Sequence, residues 1–186
     1  MKKSIATVIL LALCLLLFSC KAETERFFDY QDNVRSASGK YTADDREYEI
    51  EIYFAKDDKG GVYCRRIEYT APESIKGLTF TLEGKNITAS IEGVRIDNSY
   101  FEKDSVFRPA RLFALSEEDI CDIKTEKDGN NTVSGKNESA SWQVQTDEKG
   151  TPKKITYESG GVKEIFAIEE ICIGEWQTDI PTDDEQ

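Results

Sequence analysis

Residues Arg46 to Phe54 alternate without a break. Tyr48, Ile50, Ile52 and Phe54 fall on one side of an extended chain and Glu47, Glu49 and Glu51 on the other. Successive side chains of a strand point to opposite faces, so the pattern fits a strand with one dry and one wet side. It does not fit a helix, where apolar positions two apart scatter to both sides of the axis. A single strand cannot bury its dry face, so the rest of the chain has to supply neighbours.

It does so at short intervals. Asp57-Asp58-Lys59-Gly60-Gly61 turns the chain back into Val62–Thr70, and Pro72 interrupts the pairing. Leu78, Phe80 and Leu82 then alternate within Gly77–Gly84, Ile87, Ala89 and Ile91 share a face after the Gly84 turn, and Val94–Ile96 is a further short strand. Strands resume at Ile120–Glu126, Thr132–Gly135, Ser141–Thr146 and Pro152–Glu158, separated by Asp/Asn/Gly turns. The last, Val162–Ile173, is apolar on both faces and belongs in the middle of a sheet. Phe27-Phe28-Asp29-Tyr30 reads first as an entry strand and second as one turn of helix docked on the core. One stretch, Arg108–Leu115, reads as a short helix with Pro109 in its first turn, placed over one end of the sheet. The expected fold class is mainly β (α+β): a curved antiparallel sheet or half-barrel with one or two short helices.

Such a sheet has more apolar face than the chain has amphipathic helix to cover it. Two arrangements satisfy this. Either the faces cover each other as ordinary core, or they line a cavity in an open half-barrel, with Tyr48, Ile50, Ile52, Phe54, Leu78, Phe80 and Leu82 as its walls.

The N-terminus constrains location rather than fold. Lys2 and Lys3 precede the apolar run Ile5–Phe18, which closes on Ser19-Cys20. A charged start, a short apolar core and a small residue before the cut describe a secretion signal. Leu17-Phe18-Ser19-Cys20 resembles a bacterial lipobox, in which the cysteine is diacylglycerylated and becomes the first residue of the mature protein. The organisation expected is a signal over 1–19, a lipidated Cys20 with a short linker over 20–26, one β-rich domain over 27–177, and an acidic disordered tail over 178–186. The net charge is −12, and loss of Lys2 and Lys3 makes it more negative. Such a surface repels nucleic acid and anionic lipid heads. Attachment to the outer side of a cell membrane then falls to the lipid on Cys20.

The chain has no histidine. That removes Ser-His and Cys-His nucleophile pairs and the commonest zinc ligand, and neither an enzyme activity nor a cofactor nor a metal is expected. Cys64, Cys121 and Cys172 are three thiols in an exported chain: buried and unpaired, or two of them joined with the third free. The stripe Glu47, Glu49, Glu51 reads first as a solvated face and second as a calcium site short of ligands. Arg65-Arg66 and Arg108/Arg111 read first as partners for neighbouring acids and second as a greeting for an anionic head group.

The lipobox, Phe27-Phe28-Asp29-Tyr30, Tyr69-Thr70-Ala71-Pro72-Glu73 running into Gly77-Leu78-Thr79-Phe80, the Gly84 turn and the short helix at Arg108–Leu115 together resemble lipoproteins of Gram-positive, clostridia-type bacteria. More distantly, the order of elements is similar to the LolA/LppX-like lipoprotein-carrier fold, a half-barrel with helices over an acyl-chain cavity. The resemblance implies an extracytoplasmic, lipid-anchored protein whose ligand is apolar or amphipathic, a lipid or a lipoprotein acyl chain. The alternative is an interaction module for another envelope protein, with a filled core and no ligand.

Overall fold

A computed structural model describes residues 27–97, 101–174 and 176. The signal, Cys20, its linker and the acidic tail, expected from the sequence, lie outside the described residues. Eleven strands follow one another: β1 Val34–Ala43, β2 Arg46–Lys56, β3 Val62–Ala71, β4 Thr79–Glu83, β5 Asn86–Ile91, β6 Val94–Asp97, β7 Ile120–Thr125, β8 Asn131–Lys136, β9 Ala140–Thr146, β10 Pro152–Ser159 and β11 Val162–Ile173. They make one curved, open antiparallel sheet in the order β6-β5-β4-β3-β2-β1-β11-β10-β9-β8-β7. Two meanders, β1–β6 and β7–β11, are therefore joined at the centre by the pairing of β1 with β11. That position explains why β11 is apolar on both faces: Phe166 is fully buried on one side, and Ile165 is half-buried on the other.

The central seam depends on Gly39. It sits where the β1–β11 register slips between Ser38 and Gly39, at φ +153, and a methyl group there would fall 2.1 Å from the carbonyl oxygen of Ala167. Only glycine allows that approach. At the other end of β1 a tight turn reverses the chain into β2, with Asp44 (φ 51) and Asp45 (φ 59) both left-handed. Such two-residue turns match the twist of a hairpin, and aspartate tolerates the conformation.

Because β6 and β7 are the two outermost strands, the segment between them has to cross the sheet. Its contacts trace the path over the inner face. Phe101 packs on Phe80 of β4, Phe113 packs on Phe54 of β2 and Phe166 of β11, the Arg111 guanidinium lies 4.8 Å over the Tyr157 ring of β10, and Asp119 accepts a hydrogen bond from Asn137 beyond β8. This strap is built from a turn of helix, Lys103–Val106, and two 3-10 segments, Arg108–Phe113 and Glu117–Asp119. Its Leu112 and Phe113 join Val34, Ile50, Ile52, Ile67, Val133, Val144, Ile155 and Phe166 in the core.

Three expectations change. The helix expected at Arg108–Leu115 is a 3-10 segment that crosses the inner face instead of capping one end. Phe27–Tyr30 is a turn leading into the helix Asp29–Asn33, the second of its two readings and not the strand read first. Phe27, Phe28 and Tyr30 are all buried, three of four consecutive positions, which a strand with one wet face cannot provide. Of the three thiols, all free, only Cys64 is buried, while Cys121 and Cys172 are exposed. Among the described residues no helix is long and apolar enough to cross a membrane.

Candidate functional site

The strap does not seal the whole inner face. Between its first half and strands β1–β4 lies a half-open cleft of about 550 Å³, within the range of ~300–1,000 Å³ usual for small-molecule sites. Its floor is a row of rings running across the strands. Tyr41 of β1 stacks on Tyr48 of β2 with centroids 6.4 Å apart, Tyr48 meets Tyr69 of β3 edge-on at 5.7 Å, and Tyr69 meets Phe80 of β4 at 6.4 Å. The register makes this row, since Tyr41 faces Tyr48 directly and Tyr69 pairs with Ile50, one step along the same face. Burial raises the Tyr69 phenol above its ordinary value, and the neighbouring Tyr48 adds to the effect.

The cleft is chemically graded. At the β4 end its walls are Ile75, Leu78 and Phe80. At the β1 end they are Asp44 and Arg46, which the tight turn sets side by side, and Arg108 from the strap. Behind that polar end stands Glu164 of β11, with 0 % exposure. Its Oε2 accepts the Tyr41 hydroxyl at 2.7 Å, and its Oε1 accepts Arg108 Nε at 3.1 Å and Arg111 Nη2. Arg108 Nη1 also reaches Asp44 Oδ2 at 3.2 Å. Both arginines reach the buried carboxylate from the strap while their own side chains stay partly exposed. Burial and the bond to Glu164 push the Tyr41 phenol far above its ordinary value.

The seven residues expected to line a cavity separate into two groups. Tyr48, Leu78 and Phe80 line the cleft. Ile50, Ile52 and Leu82 are buried in the core, and Phe54 packs against Phe113 with centroids 5.2 Å apart. The physical reason is that the strap crosses the inner face instead of capping one end: its Leu112 and Phe113, with Phe27, Phe28 and Tyr30 of the N-terminal turn and helix, share one core with these residues. Tyr41, Asp44, Arg46, Tyr69 and Ile75 were not singled out from the sequence. A signal for Tyr41 existed: treating Asp44-Asp45 as a two-residue turn sets Ala43 opposite Arg46 and Tyr41 opposite Tyr48.

The other sequence candidates stand elsewhere. Glu47 pairs with Lys40 at 3.6 Å and Glu51 accepts from the Tyr53 hydroxyl, both on the outer face. A smaller depression of about 280 Å³ lies there, with Ser36, Ser38, Glu51, Tyr53 and Glu170 among its walls. Ala37, Ile171 and Cys172 complete its walls, and the row of rings that floors the larger cleft is absent from them. Arg66 is also outside, paired with Glu68 and lying 5.0 Å over the Tyr53 ring. Among the described residues no three acidic, thiol or imidazole groups are placed to share a metal ion.

No family model matches the chain, and no curated protein matches it. Among solved structures it is similar to the lipoprotein LppX of Mycobacterium tuberculosis, at 11% identity and a TM-score of 0.48 over 85% of this chain and 97% of that one. It is similar to LprF of Mycobacterium bovis at 7% identity and a TM-score of 0.45, covering 86% and 97%. A LolA superfamily protein from Nitrosomonas europaea gives 9% identity and a TM-score of 0.41, covering 84% and 94%. Similarity at this level assigns neither ligand nor activity to this chain.

Proposed function

We propose that this is an extracytoplasmic protein, anchored to the outer side of a bacterial cell membrane through a diacylglyceryl group on Cys20, that binds an apolar or amphipathic ligand without catalysis. The observation that carries the binding half is the graded cleft. Half-buried rings and Leu78 stay uncovered at one end while hydrogen-bonding and charged groups gather at the other. Leaving that much apolar surface open forgoes roughly 25 cal/mol for each Å² that could have been buried, which a bound chain would recover. Tyr48, Tyr69, Leu78 and Phe80 would touch the apolar part of the ligand. Titration of the protein with an apolar fluorescent probe tests this: the wild type binds and Leu78→Asp weakens binding at least about tenfold. A wild type that binds no probe and carries no lipid in native mass spectrometry overturns the reading. The anchoring half is tested by labelled palmitate, which should enter the wild type and not Cys20→Ser.

A second reading draws on the sheet's edge. Strand β6 is outermost and exposes Val94 and Ile96, an edge on which another envelope protein could add a strand. It predicts a partner that is retained by Leu78→Asp and lost from Ile96→Lys.

A further inference from the structure

The cleft's two ends differ in chemistry, and the polar end also has a sign. We propose that the ligand's polar end is an anionic oxygen group, a phosphate or a carboxylate, held by Arg46 and Arg108; this rests on the reading of the cleft as an amphiphile site. The net charge of the chain is −12, yet the walls of the cleft carry two arginines against one aspartate. The buried carboxylate behind them does not cancel this locally, because Glu164 is shared between Arg108 and Arg111. Arg108 gives Nε to Glu164 and Nη1 to Asp44. A guanidinium has five N–H donors in a fixed fork, so the Nη2 side is held in place by those two bonds without being used by either carboxylate. Arg108 lines the cleft, so the Nη2 that neither carboxylate takes is left as a charge-assisted donor for an oxyanion there.

Arg46 supplies the second contact. Among the described residues it is in no ion pair, it is exposed, and the left-handed pair Asp44-Asp45 fixes its backbone at the mouth of the cleft. The Tyr48 ring, two residues further along β2 on the same face, continues the wall toward the apolar end. An amphiphile would then lie across the strands, its head at the β1–β2 turn and its chain over Tyr69 and Phe80 toward Leu78.

Calorimetry separates this from the parent reading. The protein is titrated with decyl phosphate, decyl maltoside and decyltrimethylammonium below their micelle-forming concentrations, and with inorganic phosphate alone. Decyl phosphate should bind about tenfold more tightly than the maltoside, and the trimethylammonium compound more weakly than both. Arg46→Gln and Arg108→Gln should each cut the phosphate-to-maltoside ratio several-fold, and added salt should lower it because Arg46 is exposed. Equal affinity for all three heads, or preference for the cation, overturns the anionic assignment while leaving amphiphile binding standing. Failure of all three to bind removes the amphiphile site itself. Inorganic phosphate binding as tightly as decyl phosphate overturns the proposal, because the chain then contributes nothing. Arg108→Gln leaves Glu164 short of a partner and can disturb folding; Arg46→Gln, on an exposed turn, keeps the test decisive.

Discussion

The Tyr41 hydroxyl donates to Glu164 Oε2 at 2.7 Å across the seam where β1 and β11 join the two halves of the sheet. One carboxylate thereby ties the aromatic floor of the cleft to the strap, since its other oxygen takes Arg108 and Arg111. A buried ion pair is a poor source of net stability, but removing one partner leaves the others uncompensated. Glu164→Gln should therefore cost about 3 kcal/mol, the lower part of the range for broken buried pairs, because both guanidiniums still reach water. Tyr41→Phe keeps the ring and loses one charge-assisted hydrogen bond, for about 1.5–3 kcal/mol. Urea unfolding of the two variants and their double checks this: the double should cost less than the sum. Strict additivity would mean that the residues do not act together.

Gly135 and Trp142 face each other across β8 and β9. A methyl group at Gly135 would fall 2.1 Å from Trp142 Cζ2, inside the indole. The indole is buried and its other side is held edge-on by Phe28 at 5.7 Å, so it has nowhere to move. Gly135→Ala should destabilise by about 3 kcal/mol, at the upper end for overpacking, and shift the tryptophan emission to longer wavelength. A variant with wild-type melting and emission would place the indole elsewhere.

A buried thiol and a partly buried phenol hold their protons above the ordinary range, which fixes the sign of the alkaline response. Burial pushes the Cys64 thiol up to about 12 from an ordinary 9.0. The Tyr53 hydroxyl, bonded to Glu51 and partly buried, is also pushed up to about 12, from 10.0. The unfolded chain gives up these protons first, so the stability they contribute is complete below pH 9 and is lost as pH rises toward 12. Urea midpoints should fall steadily over pH 9 to 11, less steeply in Cys64→Ala. At pH 8 iodoacetamide should label exposed Cys121 and Cys172 in the folded protein and spare Cys64. A flat midpoint, or fast labelling of Cys64, would show that the thiol is not enclosed.

Strand positions were the legible part of the sequence because a period of two is written locally. Apolar residues on both faces mark Val162–Ile173 as a central strand, and β11 has those bounds and that place. The strap was legible in composition but not in placement. Pro109 and the clustered Leu112 and Phe113 announced a short packed segment, yet only the strand order, with β6 and β7 at opposite edges, sends it across the inner face. That non-local fact decided the site. It set Phe113 on Phe54, left Tyr48, Leu78 and Phe80 along a cleft, and brought Arg108 to Asp44, 64 positions earlier in the chain. Glu164 was hidden for a related reason, because nothing local marks one buried glutamate among so many carboxylates.

The strap should be firmly seated at one end and loosely at the other, and two phenylalanines report the difference. Phe113 is buried, with its ring 5.2 Å from Phe54, 5.7 Å from Phe166 and 6.4 Å from Tyr30. Phe101 is half-buried and has one ring partner among the described residues, Phe80 of the cleft wall, at 5.6 Å. Truncating a fully packed phenylalanine costs about 3–5 kcal/mol, since the void cannot close, whereas a half-exposed ring at an opening forfeits only part of its transfer energy. Phe113→Ala should therefore lower stability by about 4 kcal/mol and Phe101→Ala by about 1 kcal/mol. Hydrogen exchange should show the same gradient, with amides around Arg111–Ala114 protected and those around Ser105–Phe107 opening more readily. Equal costs for the two substitutions would mean that the strap is seated uniformly. The wall that Ser105, Arg108 and Pro109 give the cleft would then be as fixed as the strands opposite it.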